Sequence, residues 1–118
     1  MKDENIIVEK SKAFALRIIK LYRYLSAEKQ EYVLSKQILR SGTSVGANVR
    51  EAERGQSKAD FYAKMNIALK EISETEYWLE LLHESDYIDS NSFESIHSDC
   101  DEIIRILTSI TKSQKYKD

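Results

Sequence analysis

The amino-acid sequence predicts an all-α protein, an antiparallel up-down-up-down four-helix bundle. The 118 residues contain no proline and only three glycines, whereas sheet proteins need turn residues about every 8–12 positions. Apolar residues also recur at alternating spacings of three and four over long stretches, which places them on one face of a helix. A chain of this length is expected to form one domain, residues 1–118.

We expect helices at about residues 8–25, 28–54, 58–84 and 90–111. The core stripe of the first is Phe14, Ile18, Leu21 and Leu25. The apolar positions of the second are Leu34, Ile38, Val45, Val49 and Ala52. Gly55 is expected to stop this second helix in a left-handed conformation.

The third and fourth helices have the most regular patterns. Ser57-Lys-Ala-Asp60 resembles a capping box that opens the third. Its core stripe is Phe61, Met65, Ala68, Ile72, Thr75, Leu79 and Leu82. The stripe of the fourth is Phe93, Ile96, Cys100, Ile103, Leu107 and Ile110. Such spacing predicts coiled-coil-like packing between antiparallel neighbours, and we expect residues 112–118 to fray.

Charge and composition narrow the possible environments. Residues 1–56 carry a net charge of +4 and residues 57–118 carry −6, so complementary faces are expected, either within one molecule or between neighbours. The N-terminus has no apolar core like a signal peptide. No apolar run approaches the roughly 20 residues that span a bilayer, so we expect no membrane partner. The one cysteine excludes an internal disulfide and fits a reducing, cytoplasmic location.

Two glycines lie in the interior of the predicted second helix, within Ser41–Asn48. Each glycine there costs about 1 kcal/mol relative to alanine. A helix gains from glycine only where another backbone or side chain must come close. We therefore expect Gly42 and Gly46 to mark a close contact with another helix or another chain.

Polar residues recur beside these glycines at spacings of four and three, so they share one face of the helix. If buried, they must hydrogen-bond to one another or to a partner; the alternative is a solvated polar face. On the third helix, Tyr77 and Trp78 point about 100° apart, so one of them is expected to meet another chain. The predicted assembly seam is Gln37, Ser41, Gly42, Ser44, Gly46, Asn48, Glu51, Tyr77 and Trp78.

Two motifs suggest chemistry, but neither predicts an enzyme. Gly42-Thr-Ser44-Val-Gly46 matches the G-x-S-x-G motif of the hydrolase nucleophile elbow. That motif requires a preceding strand and an α/β sheet around it. The pair of E-x-x-H runs, Glu80–His83 and Glu94–His97, resembles half of a di-iron bundle site. Their histidines fall beside the core stripes and near helix ends, so we interpret them as surface residues. We predict no catalytic, cofactor-binding or metal-binding residues and no small-molecule substrate.

Basic residues along the second helix provide an alternative function. The pI of 5.8 is far below the value above about 9 typical of nucleic-acid modules, and acidic residues interrupt the run. A solvated or ion-paired face is the simpler interpretation. In a ring of chains, however, a modest basic patch would repeat and strengthen phosphate binding. The possible nucleic-acid contacts are Lys36, Arg40, Arg50, Arg54 and Lys58.

Nearly the whole chain resembles a known family. The residues that carry the resemblance are Gln37-x-x-Arg40-x-x-x-Ser44-Val-Gly-Ala-Asn48-Val-x-Glu51-Ala52, then Phe61, Ile67-Ala68-Leu69-Lys-Glu71 and Tyr77-Trp78-Leu79-Glu-Leu-Leu82. This pattern is similar to the four-helix-bundle family that includes proteins encoded by intervening sequences in bacterial 23S ribosomal RNA genes. The resemblance implies a small antiparallel bundle, with some members forming barrel-shaped homopentamers, and no catalytic residues. A related, strongly basic branch serves diversity-generating retroelements and engages a reverse transcriptase and nucleic acid.

The function expected from these features is that of a non-enzymatic homo-oligomer, a pentamer by resemblance, acting as a scaffold or accessory for a protein or nucleic-acid partner. The alternative is an RNA- or DNA-binding accessory that uses the basic residues of the second helix. No cofactor is expected for either.

Overall fold

The fold is a four-helix bundle, as the sequence predicts. The computed structural model describes residues 2–116, with the side chains of residues 4–114. Its elements are α1 (Lys2–Ala27), α2 (Leu34–Glu53), α3 (Lys58–Glu84), α4 (Ser90–Lys112) and a 3₁₀ turn (Ser113–Tyr116). Within this part of the chain there is no strand. Each helix packs on the next one along the chain and α4 closes against α1, in a bundle of 48 × 21 × 19 Å.

The first helix begins at Lys2, earlier than the sequence predicts. Its buried stripe extends toward the N-terminus through Ile7 and Ser11, which are 0% and 1% exposed. These two positions continue the four-three spacing that leads to Phe14, so the longer helix buries more apolar surface. Of the predicted stripe, only Leu21 is half-buried rather than buried.

The second helix begins at Leu34, six residues later than predicted, because the chain turns before it. Gln30 has φ 53°, a left-handed conformation that interrupts a right-handed helix. The buried carboxylate of Glu31 then accepts hydrogen bonds from the backbone N–H groups of Val33, Leu34 and Ser35, at 3.2, 3.0 and 2.7 Å. These groups have no partner within the helix, so Glu31 fixes where α2 starts.

Gly55 does not adopt the predicted left-handed conformation, since no described glycine has positive φ. A Cβ atom at this position would instead lie 3.1 Å from the Ala52 carbonyl oxygen and 3.2 Å from the Asp60 Cβ. The short turn into α3 therefore requires glycine for space rather than for φ. The predicted cap is present, because the Ser57 hydroxyl accepts from the backbone N–H of Asp60 at 3.1 Å.

The core lies where the predicted stripes of α3 and α4 meet those of α1 and α2. All the predicted positions of α3 and α4 are buried except Phe61 and Phe93, which are half-buried. Asp89 caps α4 through the N–H of Ser92 at 2.7 Å. The prediction of a frayed tail is wrong for the 3₁₀ turn after α4, whereas positions 117 and 118 lie outside the described residues.

Candidate functional site

The two helical glycines mark a contact with α1 of the same chain. A Cβ atom on Gly42 would lie 2.8 and 2.9 Å from the two γ carbons of Ile18, which is fully buried. A Cβ atom on Gly46 would lie 3.4 Å from the carbonyl oxygen of Ser11, an ordinary contact distance. Gly42 is therefore required by packing inside the protomer, and its burial leaves it no surface for a second chain. Gly46 is partly exposed and stays a candidate for assembly.

The buried member of the polar stripe is also satisfied inside the protomer. The hydroxyl of Thr75, on α3, lies 2.8 Å from the Ser41 hydroxyl and 2.8 Å from the Glu71 carbonyl oxygen. Both side chains are 0% exposed. The assignment of Ser41 to a seam between chains is therefore corrected: Ser41 links α2 to α3, because burial of a hydroxyl requires a partner.

The remaining stripe residues lie along the rim of the α2–α3 contact. Ser44 donates to the carbonyl of Arg40 at 2.6 Å, and the Asn48 amide donates to the carbonyl of Ser44 at 2.9 Å. Glu51 pairs with Lys64 of α3 at 3.0 Å. Gln37 is exposed. These four positions are accessible to a neighbour, and their role in assembly remains a prediction.

Ser44 lies in the interior of α2, and the part of the chain from 2 to 116 holds no strand. A nucleophile elbow needs the sharp turn between a strand and a helix, so the G-x-S-x-G string has no such structure here.

Tyr77 and Trp78 differ in exposure, although their ring centroids lie only 5.3 Å apart. Trp78 is half-buried against the core, and its indole N–H donates to Glu74 at 3.1 Å. Tyr77 is 54% exposed. Tyr77 is therefore the member of the pair that has surface to offer another chain.

A feature that the predictions missed is a second stripe on α3. Residues spaced by three and four, opposite the buried stripe, form what we call the outer α3 face: Ile67, Lys70, Glu74, Tyr77 and Leu81. Ile67 is 41% exposed and Leu81 is half-buried. The signal was present in the sequence as an additional three-four pattern, but the stronger core stripe of the same helix masks it. An α-helix with apolar residues on two faces is typical of one that contacts two partners.

The predicted basic residues divide into two groups. Arg40 is held by Glu71 at 3.1 Å and by Glu74, and hydrogen bonding to Glu74 is the main reason that the pKa of its guanidinium is raised. Arg50, Arg54 and Lys58, at the other end of α2 and at the start of α3, are exposed and have no ion-pair partner among the described residues. Lys36 is exposed near the start of α2.

Some of the basic residues of the first half of the chain form ion pairs with acidic residues of the second half within the same protomer. Lys10 pairs with Glu102 at 3.2 Å and Arg17 with Asp99 at 2.6 Å, so basic α1 meets acidic α4. The predicted attraction between the two halves of the chain therefore exists inside one molecule.

In neither E-x-x-H run does the histidine form a hydrogen bond with the glutamate of its own run. His83 lies 3.1 Å from the Ser90 hydroxyl. His97 reaches across to α3, where its Nε2 atom lies 3.0 Å from Glu76. Ligand atoms of Glu76, Glu80 and His97 all lie within 4.8 Å of one another, a grouping that spans two helices. His97 is therefore a partly exposed residue, as the sequence predicts, but the structure pairs it with Glu76 of α3 rather than with Glu94 of its own run.

Within the described residues, no helix is both long and apolar enough to cross a membrane.

The fold and these surfaces define a small antiparallel four-helix-bundle protein that exposes Ile67 and Tyr77 on its third helix. The sequence profile of the 23S rRNA-intervening sequence proteins matches residues 3–109. The chain belongs to this family, as the resemblance indicated. It is similar to a crystal structure of a protein of unknown function from the S23 ribosomal protein family of Bacteroides thetaiotaomicron, with 57% identity and a TM-score of 0.92. That match covers 93% of this chain and 98% of the other. No curated protein matches the chain.

Proposed function

We propose that this protein is a non-enzymatic homo-oligomer, a pentamer by family resemblance, that serves as a scaffold or accessory for another macromolecule. The observation that carries the proposal is the outer α3 face. Its apolar members Ile67 and Tyr77 are 41% and 54% exposed, although they lie on a helix whose opposite face is fully buried. Exposed aromatic and aliphatic residues in one stripe are typical of a protein contact.

A second copy of this chain is the partner that fits this face best. The stripe alternates apolar positions with Lys70 and Glu74, and interfaces between copies commonly surround apolar anchors with polar residues. Ser44, Asn48 and Glu51 lie on the adjoining rim of α2 and supply polar groups for the edge of such a contact. Tyr77 is the expected anchor, because tyrosine contributes a large, stiff contact area.

The test is light scattering coupled to size-exclusion chromatography, with absorbance recorded at 260 and 280 nm. We expect a mass near five times the chain mass of 13.7 kDa and a protein-like spectrum. Tyr77→Ser combined with Ile67→Ser should reduce the mass to that of one chain. The matched control is Leu16→Ser, since Leu16 is equally exposed at 55% but lies on α1. A monomeric wild-type protein, or a double variant that keeps the mass, would contradict the proposal.

Nucleic-acid binding is the second candidate, favoured by Arg50, Arg54 and Lys58, which have no ion-pair partner among the described residues. Binding through phosphates should weaken as the salt concentration rises. The logarithm of the binding constant should fall linearly with the logarithm of the salt concentration, with a slope proportional to the number of phosphate contacts. Fluorescence anisotropy with a labelled single-stranded RNA measures this slope. The double variant Arg50→Gln, Arg54→Gln should reduce it, whereas Arg105→Gln on α4 should not. A flat salt dependence, or no binding at low salt, would remove this candidate.

A further inference from the structure

The contact between α3 and α4 brings three metal-binding side chains together at the rim of the bundle. Glu76 and Glu80 are one helical turn apart on α3, so both carboxylates lie on the same side of that helix. His97 of α4 faces them, with its Nε2 atom 3.0 Å from a Glu76 oxygen. The three donor atoms lie within 4.8 Å of one another. We call this set the Glu76–Glu80–His97 triad.

The imidazole of the triad is held in a defined orientation by its neighbours. The His97 ring stacks on Phe93 with ring centroids 5.1 Å apart and planes 24° apart. Phe93 in turn stacks on His83 at 4.3 Å and 10°. His97 is only half-exposed, so packing limits the directions in which its ring can turn. A ligand whose orientation is fixed before binding loses less conformational entropy on binding.

Negative charge is concentrated around the triad. Glu80 has no hydrogen-bond or ion-pair partner among the described residues. The nearby thiol of Cys100 has a raised pKa, for which burial is the main cause and the charges of Glu76, Asp101 and Glu80 contribute further. A single imidazole cannot neutralise two carboxylates, even when it is protonated, so a divalent cation would remove the excess charge.

We propose that the Glu76–Glu80–His97 triad binds a first-row divalent transition-metal ion, with zinc as the representative. Carboxylate oxygens are shared by many cations, but an imidazole nitrogen favours zinc and its neighbours over magnesium and calcium. Ligand bonds of about 2.1 Å place the donors of a tetrahedral site roughly 3.4 Å apart, so small side-chain rotations convert the present spacing into a coordination shell. Three protein ligands leave a coordination position for water or for a group from a partner.

Bound metal would join α3 to α4 near the end of the bundle where Asp89 starts the fourth helix. The site is independent of the outer α3 face, because Glu76 and Glu80 lie on the α4 side of the helix, whereas Ile67 and Tyr77 lie on its solvent side. The metal proposal therefore holds or fails separately from the proposal on assembly.

The experiment is titration of chelator-treated, full-length protein with zinc by calorimetry, repeated with magnesium. We expect one zinc ion per chain and no magnesium binding at the same concentrations. Glu80→Gln and His97→Gln should each weaken zinc binding at least about tenfold, because even the loss of a hydrogen-bonding partner of a metal ligand costs about 10–100-fold. Glu80 is exposed, so its substitution leaves the core intact, and circular dichroism verifies that each variant is folded.

The matched control is Glu94→Gln, which removes the exposed carboxylate of the other E-x-x-H run without changing the triad or the stacked rings. Cys100→Ala provides a second control, because it removes a thiol that could bind zinc after unfolding. Both controls should bind zinc as the unaltered protein does. The proposal is overturned by an absence of zinc binding up to about 1 mM, by equal losses in Glu94→Gln and Glu80→Gln, or by retained binding in Glu80→Gln.

Discussion

The contact between α1 and α2 and the contact between α3 and α4 hold neighbouring helices together in different ways. At the first, Gly42 lets the helices approach until its Cα atom faces the side chain of Ile18. At the second, larger side chains meet: Cys100 lies 3.8 Å from the Ile72 carbonyl oxygen, and Glu76 pairs with His97 at the rim. The first contact is sensitive to added volume, whereas the second carries the charged groups.

This difference shows why two residues of the glycine-rich segment are not available to a second chain. The bundle itself uses them, since Gly42 packs on Ile18 and Ser41 hydrogen-bonds with Thr75. Helices that approach closely through glycine leave little room for side chains between them. The longer side chains of α3 and α4 instead project past their contact and remain available for chemistry at its edge.

The largest expected effect is on the reactivity of Cys100 in the α3–α4 contact. It tests whether this contact excludes solvent as completely as the contact between α1 and α2. Cys100 is 0% exposed, and burial raises the pKa of its thiol, so the native chain presents little reactive thiolate. Reaction with Ellman's reagent should be about 5 × 10³-fold slower than in the unfolded chain, since it requires an opening that costs about 5 kcal/mol. A rate close to that of a free thiol would show that this contact opens readily.

The same burial predicts a pH dependence of stability. Above pH 9.0, the ordinary thiol value, the unfolded chain loses its thiol proton while the folded chain retains it. Since the folded state then binds more protons, the free energy of unfolding falls as the pH rises through this range. Denaturant titrations of the protein and of Cys100→Ala should show a steeper decline for the protein with the thiol.

The second effect concerns the close approach at Gly42. Alanine there gains about 1 kcal/mol of helix propensity, but its Cβ would lie 2.8 Å from a buried γ carbon of Ile18. Overpacking costs about 1–3 kcal/mol, and Ile18 is β-branched, so its rotation is restricted. The net effect of these two terms is a loss of up to about 2 kcal/mol in the free energy of unfolding of Gly42→Ala, which urea titrations measure. In an Ile18→Ala background the same substitution should become neutral or favourable, and an unchanged penalty would contradict the assigned clash.

Gly46→Ala should raise the free energy of unfolding, whereas Gly42→Ala should lower it. The two substitutions therefore compare a loose and a close contact on the same helix. A Cβ there meets Ser11 only at 3.4 Å, so alanine fits without displacement. The gain in helix propensity should then raise the free energy of unfolding by about 0.5–1 kcal/mol. In Gly46→Leu the leucine side chain would reach beyond Ser11, so this substitution tests assembly. An unchanged oligomer mass would show that position 46 faces no second chain.

The smallest effect is expected at the rim of the α3–α4 contact. The side chains of His97 and Glu76 are 32% and 30% exposed, and ion pairs of this kind contribute about 0–1 kcal/mol. Without added metal, His97→Gln should lower the free energy of unfolding by less than about 1 kcal/mol. A larger loss would indicate that the pair and the stacked rings hold the helices together, rather than forming an adaptable site at their edge.

The repeating spacing of apolar residues determined most of the fold. Burial on one face of a helix is a local property, so the stripes of α3 and α4 were predictable position by position. The start of α2 was not, because Glu31 caps it with a side chain that carries no N-cap preference in the sequence pattern. The Gly55 prediction failed for a related reason: its need for glycine comes from Asp60 and Ala52, which approach it only in the folded turn.

What the sequence by itself determined is therefore the helical class, the core stripes and the presence of a close contact at the glycines. The tertiary structure decided which partner meets each face. Gly42 packs on α1 rather than on another chain, Tyr77 is exposed while Trp78 is covered, and His97 joins Glu76 and Glu80 instead of Glu94. The physical reason is that helix periodicity assigns a residue to a face, but only the register between packed helices brings residues such as Glu76 and His97, 21 positions apart, to within hydrogen-bonding distance.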